Sequence, residues 1–234
     1  MTALDCIAGA DWAAVDAALN ERGYAVIRQV FDEADCERTQ SLYDQAALFR
    51  SRVVMARHGF GQGEYQYFGY PLPEQITAMR DVLYARLAPI ANAWAGMLGS
   101  EALYPATLSS FLEVCHGHGQ LRPTPLLLKY GPGDYNRLHQ DLYGGIHFPL
   151  QVAVLLSAAD EFNGGEFVLT ETAPRRQTRA EVVQLAQGDM IIFAVNHRPI
   201  KSAKGFSRVA MRHGVSTVHS GARMTLGVIF HDAT

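Results

Sequence analysis

Little in this chain invites a disulfide framework or a cysteine-rich metal site. Its 234 residues hold three cysteines, Cys6, Cys36 and Cys115, an odd number with no Cys-x-x-Cys pair. Long hydrophobic runs are missing too. Stretches such as Val152 to Leu156 fall far short of the ~20 residues a membrane helix needs, so no membrane partner is expected. The start, MTALDCIAGADWAAVD, has no cationic stretch ahead of an apolar one, so it predicts no signal peptide and a cytoplasmic protein. Charge is sparse at 18%, and a net −3 argues against a protein that coats nucleic acid. Internal repeats, low-complexity segments and linkers are absent, and nothing marks an obligate protein partner. What remains is 48% hydrophobic, the mix of an ordinary globular chain long enough to bury a core without staples. One domain over 1–234 is expected, with a mostly helical support and a substrate loop in 1–121 and a β core in 122–234.

Charge is uneven along the chain. Residues 175–212 carry Arg175, Arg176, Arg179, Arg198, Lys201, Lys204, Arg208 and Arg212 against only Glu181 and Asp189, a local +6 that leaves −9 for the rest. That asymmetry fits either one basic face on an acidic body, suited to a nucleic-acid partner, or a solvated arginine-rich loop.

Two periodicities divide the sequence. Asp11 can cap a helix bearing Trp12, Val15 and Leu19 and ending near Gly23, followed by a short strand over 24–27. Asp32 can cap a second helix through Cys36, Leu42 and Tyr43. Residues 58–73, HGFGQGEYQYFGYPLP, read as a Gly- and aromatic-rich loop of the length that often lines a site. Ile76, Met79, Leu83, Leu87 and Ile90 mark a helix over 74–98 that Pro89 can kink. From Thr124 onward the pattern turns to short strands at 124–130, 137–141, 150–156, 165–170, 182–185, 190–195, 208–210, 213–218 and 223–231. Turn signals separate them and no helices intervene, which predicts an antiparallel sandwich or barrel of jelly-roll type with N-terminal helices buttressing it.

The sharpest chemical signal is Leu138-His139-Gln140-Asp141. On a strand, residues i and i+2 share a face, so His139 and Asp141 would offer an imidazole and a carboxylate to one metal. One more histidine would complete a two-histidine, one-carboxylate facial triad, the donor set of non-haem Fe(II) oxygenases. His147, His213, His219 and His231 are all available. His213 is distinguished by Arg223, ten residues on, because strands joined by the Ser220-Gly221 turn would bring a ligand beside a cation able to grip a carboxylate bidentately.

The combination of His-x-Asp, some seventy residues, then a histidine and an arginine ten apart resembles the 2-oxoglutarate- and Fe(II)-dependent dioxygenases. The resemblance implies that His139, Asp141 and His213 bind Fe(II), and that Arg223 holds the distal carboxylate of 2-oxoglutarate. The segment from Lys129 through Asp141 is similar to that of the AlkB-type nucleic-acid dealkylating enzymes, in which a tyrosine nine residues before the first histidine contacts the cosubstrate; Tyr130 stands there. The His213-to-Arg223 spacing and the Gly164-Gly165-Glu166 strand start are instead like the prolyl-hydroxylase branch, and the additional AlkB arginine is missing. Nearly the whole chain resembles a bacterial 2-oxoglutarate/Fe(II) oxygenase family assigned to damaged nucleic acid, through RHGFGQGEYQYF (57–68), RPTPLLLKYGPGDYNRLHQDLYG (122–144), NGGEFVLTE (163–171) and RHGVSTVHSGARMTLGVIFHDA (212–233). It implies a double-stranded β-helix (jelly-roll) core. It also implies that O₂ and 2-oxoglutarate are consumed to succinate and CO₂ while a substrate C–H bond is hydroxylated; an N-methyl group so treated leaves as formaldehyde.

Further residues enter as substrate contacts. Gln140 and Tyr143 flank Asp141, while Arg57, Glu64 and Tyr67 belong to the aromatic segment, whose Phe60, Tyr65, Phe68 and Tyr70 can stack a base or simply pack the barrel mouth. Cys115-His116-Gly-His118 lacks a fourth ligand, and its glycines suggest a mobile loop, so no zinc is expected there. The favoured substrate is a methylated base in DNA or RNA. The alternatives are hydroxylation of a protein side chain or small metabolite, and a cupin-like metal-binding sensor without turnover.

Overall fold

The computed structural model describes residues 2–101, 103–203 and 205–234; Lys204, one of the basic residues noted above, lies outside the described residues. The helices are α1 (Ala3–Gly9), α2 (Trp12–Arg22), α3 (Glu33–Ser41), α4 (Glu74–Met97) and α5 (Leu108–Gly117). The strands are β1 (Tyr24–Ile27), β2 (Phe49–Val54), β3 (Gly61–Gln62), β4 (Glu64–Phe68), β5 (Leu126–Tyr130), β6 (Tyr135–His139), β7 (Leu150–Leu155) and β8 (Phe162–Gly164). They continue as β9 (Phe167–Thr172), β10 (Arg179–Val183), β11 (Met190–Ala194), β12 (His197–Ser202), β13 (Gly205–Val215), β14 (Val218–Gly221) and β15 (Arg223–Val228). None of the described helices is long and apolar enough to cross a membrane.

Two main antiparallel sheets form a jelly roll. The larger runs β1-β11-β7-β15-β5-β4-β2; the smaller runs β10-β9-β13-β6-β3, with β12 also paired to β13. The pleat explains the composition of the larger sheet's strands. In β15, Leu226 and Val228 join the helix-packed core with Val152 and Val154 of β7 and with Leu83 and Leu87 of α4. The alternate residues Arg223, Thr225 and Gly227, with Gln151 and Ala153 of β7, line a cavity between the sheets. Covered on both faces, β7 is buried at all six positions, which is why it reads as an apolar run.

Local chemistry sets the helix ends. Asp11 caps α2, accepting from the Ala14 N–H, and Gly23 closes it in the left-handed region at φ +80°. Helix α4 continues through Pro89. Helix α5 replaces the loop expected around Cys115 and His116: Leu108, Phe111 and Cys115 recur on its buried face. His116 Nε2 there contacts the buried Asp232 Oδ2 at 2.9 Å, and His118 Nδ1 lies 2.9 Å from the Val114 carbonyl.

Several expectations are corrected. Residues 58–73 contain two strands instead of a continuous loop: β2 and β4 pair as a hairpin, β4 continues onto β5, and β3 pairs with β6. The first 121 residues thus supply four strands as well as helices. The expected strands 208–210 and 213–218 are mainly one long strand, β13, and β12 precedes it. The basic segment is therefore mostly strand and not loop. Two of its arginines are internal partners: Arg198, 6% exposed, binds Glu171 (Nη2–Oε2 2.5 Å), and Arg179 pairs with Glu181 at 3.0 Å. Arg208 and Arg212 are exposed, while the alternating Val209, Met211 and His213 are buried.

Candidate active site

Three elements bring the ligand candidates together. His139 closes β6 opposite His213 of β13, with ring centroids 4.2 Å apart. Strand β6 ends at His139, so Asp141 lies just beyond the strand instead of on it. Its carboxylate still reaches both rings: Oδ1 is 3.4 Å from His139 Nε2, and Oδ2 is 3.4 Å from His213 Nε2. One ligand atom from each residue falls within 4.8 Å of the others.

The cluster concentrates negative charge on Asp141, which a proton on His139 answers here and a cation could answer in its place. Burial works against charge on Asp141, but His139 and then His213 outweigh it and hold the carboxyl well below its usual range. Burial, followed by the neighbouring His139, pushes His213 down towards its neutral form. Burial also opposes charge on His139, but Asp141 wins and raises it. His139 Nδ1 lies 2.7 Å from the Arg137 carbonyl; donating there leaves Nε2 with its lone pair facing the cluster. The Tyr143 hydroxyl donates to Asp141 Oδ1 at 2.5 Å and fixes the carboxylate. Two imidazoles and an ionised carboxylate form a donor set of the type that holds Fe(II).

The same cavity also holds a buried cationic side chain. Arg223 and Tyr130 are cross-strand partners on β15 and β5, 2% and 0% exposed, with the guanidinium carbon 5.7 Å from the phenol ring centre. Arg223 Nη1 donates to Thr225 Oγ1 at 2.7 Å, but its buried Nε has no partner. A buried, under-used guanidinium calls for an anionic ligand. Gly165, at φ +68°, makes room for it, since a Cβ there would lie 2.8 Å from Arg223 Cδ. Tyr130, Leu128 and Leu126 all line the cavity, as their strand phase predicts. His213 and Arg223, however, are not neighbours in a hairpin. β13 belongs to the smaller sheet and β15 to the larger, while the intervening β14 pairs with β8, so the two residues meet across the cavity.

That cavity, about 380 Å³, is lined by all five: His139, Asp141, His213, Tyr130 and Arg223. The other expected contacts divide. Tyr143 and Gln140 line it, but the Gln140 amide is committed to the carbonyls of Asn196 and Met211, at 3.1 and 2.8 Å. Glu64 does not reach it: its carboxylate is taken by Arg52 and by the Tyr43 hydroxyl, because Glu64 pairs with the exposed Lys129 and not with the cavity-facing residues of β5. Tyr67 is buried beneath Arg50 (4.5 Å) and packs edge-on to Tyr65 and Tyr143, supporting the wall without forming it. Arg57 is exposed beside the mouth, outside the lining.

Other lining residues escape simple sequence reasoning. The register between β6 and β13 shifts between His213↔His139 and Val215↔Asn136, so that Arg137 and Leu138 together oppose Gly214 alone. The bulge turns Asn136 inward, its amide donating to the Tyr130 hydroxyl at 3.4 Å, where simple alternation would have put Arg137. Gln151 is 4% exposed, lines the cavity and leaves its Oε1 without a partner. Its signal was a lone amide inside the apolar run LQVAVL.

Comparison with known proteins agrees with this architecture. Residues 63–233 match the model of the family Oxygenase-NA, described as an oxygenase catalysing oxidative methylation of damaged DNA. Two uncharacterized proteins of Mycobacterium tuberculosis are each 47% identical over 167 residues, 71% of this chain and 72% of theirs. Among solved structures, an oxidoreductase of the 2OG-Fe(II) oxygenase family from Burkholderia pseudomallei superposes with TM-score 0.57 at 20% identity, over 97% of this chain and 94% of that one. A Trichoplax adhaerens prolyl hydroxylase, solved with a hypoxia inducible factor peptide, gives 0.56 at 14% identity over 94% and 89%.

Proposed function

The chain belongs to this oxygenase family, and we propose that it uses Fe(II), 2-oxoglutarate and O₂ to strip a methyl group oxidatively from a damaged nucleic-acid base. The observation that carries the reading is one cavity joining the His139–Asp141–His213 cluster to a buried arginine with an unused donor. An oxygenase inserts oxygen at a methyl carbon, so its action on a methylated base removes the group and does not add one.

The residues divide the work. His139, His213 and Asp141 would hold the iron, with His139 oriented by the Arg137 carbonyl and Asp141 by Tyr143. Arg223 and Tyr130 would take the distal carboxylate of 2-oxoglutarate, and Thr225, on the same cavity wall, fixes the guanidinium by accepting from Nη1. When bound, iron and cosubstrate supply a two-electron oxidation, O₂ contributing one atom to succinate and one to the substrate carbon as CO₂ is lost. Leu126, Leu128, Phe167 and Phe193 wall the cavity and limit water around the reacting centre. An N-hydroxymethyl product then breaks down to formaldehyde and the free N–H.

The test is mass spectrometry of methylated single-stranded oligonucleotides incubated with protein, Fe(II), 2-oxoglutarate and air, with succinate quantified in the same tube. Methyl loss matched by succinate, and lost in His139→Ala, is the expected result. Succinate with every oligonucleotide unchanged would remove the nucleic-acid substrate and turn the search to protein side chains and metabolites. No succinate from any substrate class would remove the cosubstrate assignment as well.

A further inference from the structure

Resting on the reading of the cavity as a nucleobase pocket, we propose that the stacked pair His58–Phe60 at its rim receives the unpaired nucleotide next to the one whose base enters. Arg57 and Arg137 then hold the phosphate between them. A base that reaches His139 and Asp141 has left its strand, so its neighbour stays at the mouth and needs a surface of its own.

The surface is rigid. It is the tip of the β2–β4 hairpin, a short 3₁₀ turn over Met55–His58 followed by Gly59 and β3. Met55 is fully buried against Tyr130 and Val218, and its N–H donates to the Gly63 carbonyl at 2.9 Å. Phe60 is tied on both sides: its N–H donates to the Met55 carbonyl (3.2 Å), and its carbonyl accepts from Arg137 N–H (2.9 Å). Gly61, at φ +145°, permits the close approach to β6, since a Cβ there would fall 2.2 Å from the Tyr135 carbonyl oxygen.

On this fixed tip the His58 and Phe60 rings stack, 5.3 Å between centroids and 20° between planes. Phe60 is 48% exposed although it lines the cavity, so its ring edges the opening instead of filling the core. Arg137 and Leu138, at the bulge in β6, are exposed and line the same rim. Arg57 and Arg137 are both exposed, and neither side chain has an acidic partner among the described residues. A stacked aromatic pair accompanied by two uncommitted guanidiniums is the combination that binds single-stranded nucleic acid: ring to base, cation to phosphate.

The test compares a methylated single-stranded pentanucleotide with the same methylated base as a free nucleoside, in kcat/KM. The wild type should prefer the pentanucleotide, and Phe60→Ala should cut that preference about tenfold, the loss of one base stack; Phe60→Trp should restore it. Arg137→Gln should flatten the salt dependence of pentanucleotide binding by about 0.7 in the log–log slope. An unchanged preference in Phe60→Ala, or a wild type indifferent between the two substrates, overturns the platform while leaving the demethylase standing. Succinate formed only with a peptide or metabolite substrate overturns both.

Discussion

Replacing Gly165 by alanine tests how the buried arginine is accommodated. Gly165 sits at φ +68°, where its missing Cβ would lie 2.8 Å from both Arg223 Cδ and Val218 Cγ2. The left-handed backbone alone costs a non-glycine residue about 1–2 kcal/mol. Arg223 and Val218 are both buried, so neither can swing into solvent, and such overpacking adds about 1–3 kcal/mol. Together these come to about 2–5 kcal/mol, or a Tm lower by about 5–15 °C for a chain of this size. The added methyl should also displace the guanidinium on the order of an ångström and weaken 2-oxoglutarate binding by about 10- to 100-fold. Thermal unfolding and cosubstrate titration of the iron-loaded protein read the two effects separately. Gly23→Ala is the control: it is strained in the same way at φ +80°, but it presses on Arg198 and Met211 and should lose stability while keeping cosubstrate affinity. A Gly165→Ala protein that melts early yet binds 2-oxoglutarate like the wild type would refute the link to Arg223. One that melts normally would refute the packing argument.

Other residues make separable predictions. Tyr143→Phe removes the hydroxyl that orients Asp141 and should weaken metal binding by about 10- to 100-fold, measured by competition with a chelator. His231 is fully buried and burial drives it down to about 4, from an ordinary value of 6.5. The unfolded chain therefore takes up a proton between pH 6.5 and 4 that the folded one refuses, so stability is full above 6.5 and falls with pH, by on the order of 3 kcal/mol at pH 4. Denaturant melts across that window should show this loss, and His231→Asn should flatten it; a parallel pH dependence in the variant would exclude His231 as its source.

The parts legible in the sequence were those governed by local rules. Asp11 and Gly23 bracket α2, the alternation of Leu126, Leu128 and Tyr130 puts all three in one wall, and His139-x-Asp141 marks the ligand pair. What was hidden depends on partners distant in the chain. The β6 bulge exists only against β13, so strict alternation would put Arg137 inward where Asn136 stands. Glu64 reads as a substrate contact in the sequence, but the fold commits it to Arg52 and Tyr43. His213 and Arg223 are near because two sheets face each other, a relation that a ten-residue spacing suggests without showing how. Helix α5 did carry a signal, Leu108, Phe111, Leu112 and Cys115 at helical spacing behind the Thr107 cap, which the nearby glycines obscured.

The division of the site between sheets has a mechanical consequence. His139 and His213 ride on one sheet, Arg223 and Tyr130 on the other. A dicarboxylate held by iron at one end and by the arginine at the other would therefore act as a strut across the barrel, its length matched to the gap between the sheets. An acid too short to span that gap grips one wall only. Discrimination by length then needs no dedicated clash, because the spacing of the two layers is fixed by the same packed core that keeps the chain folded.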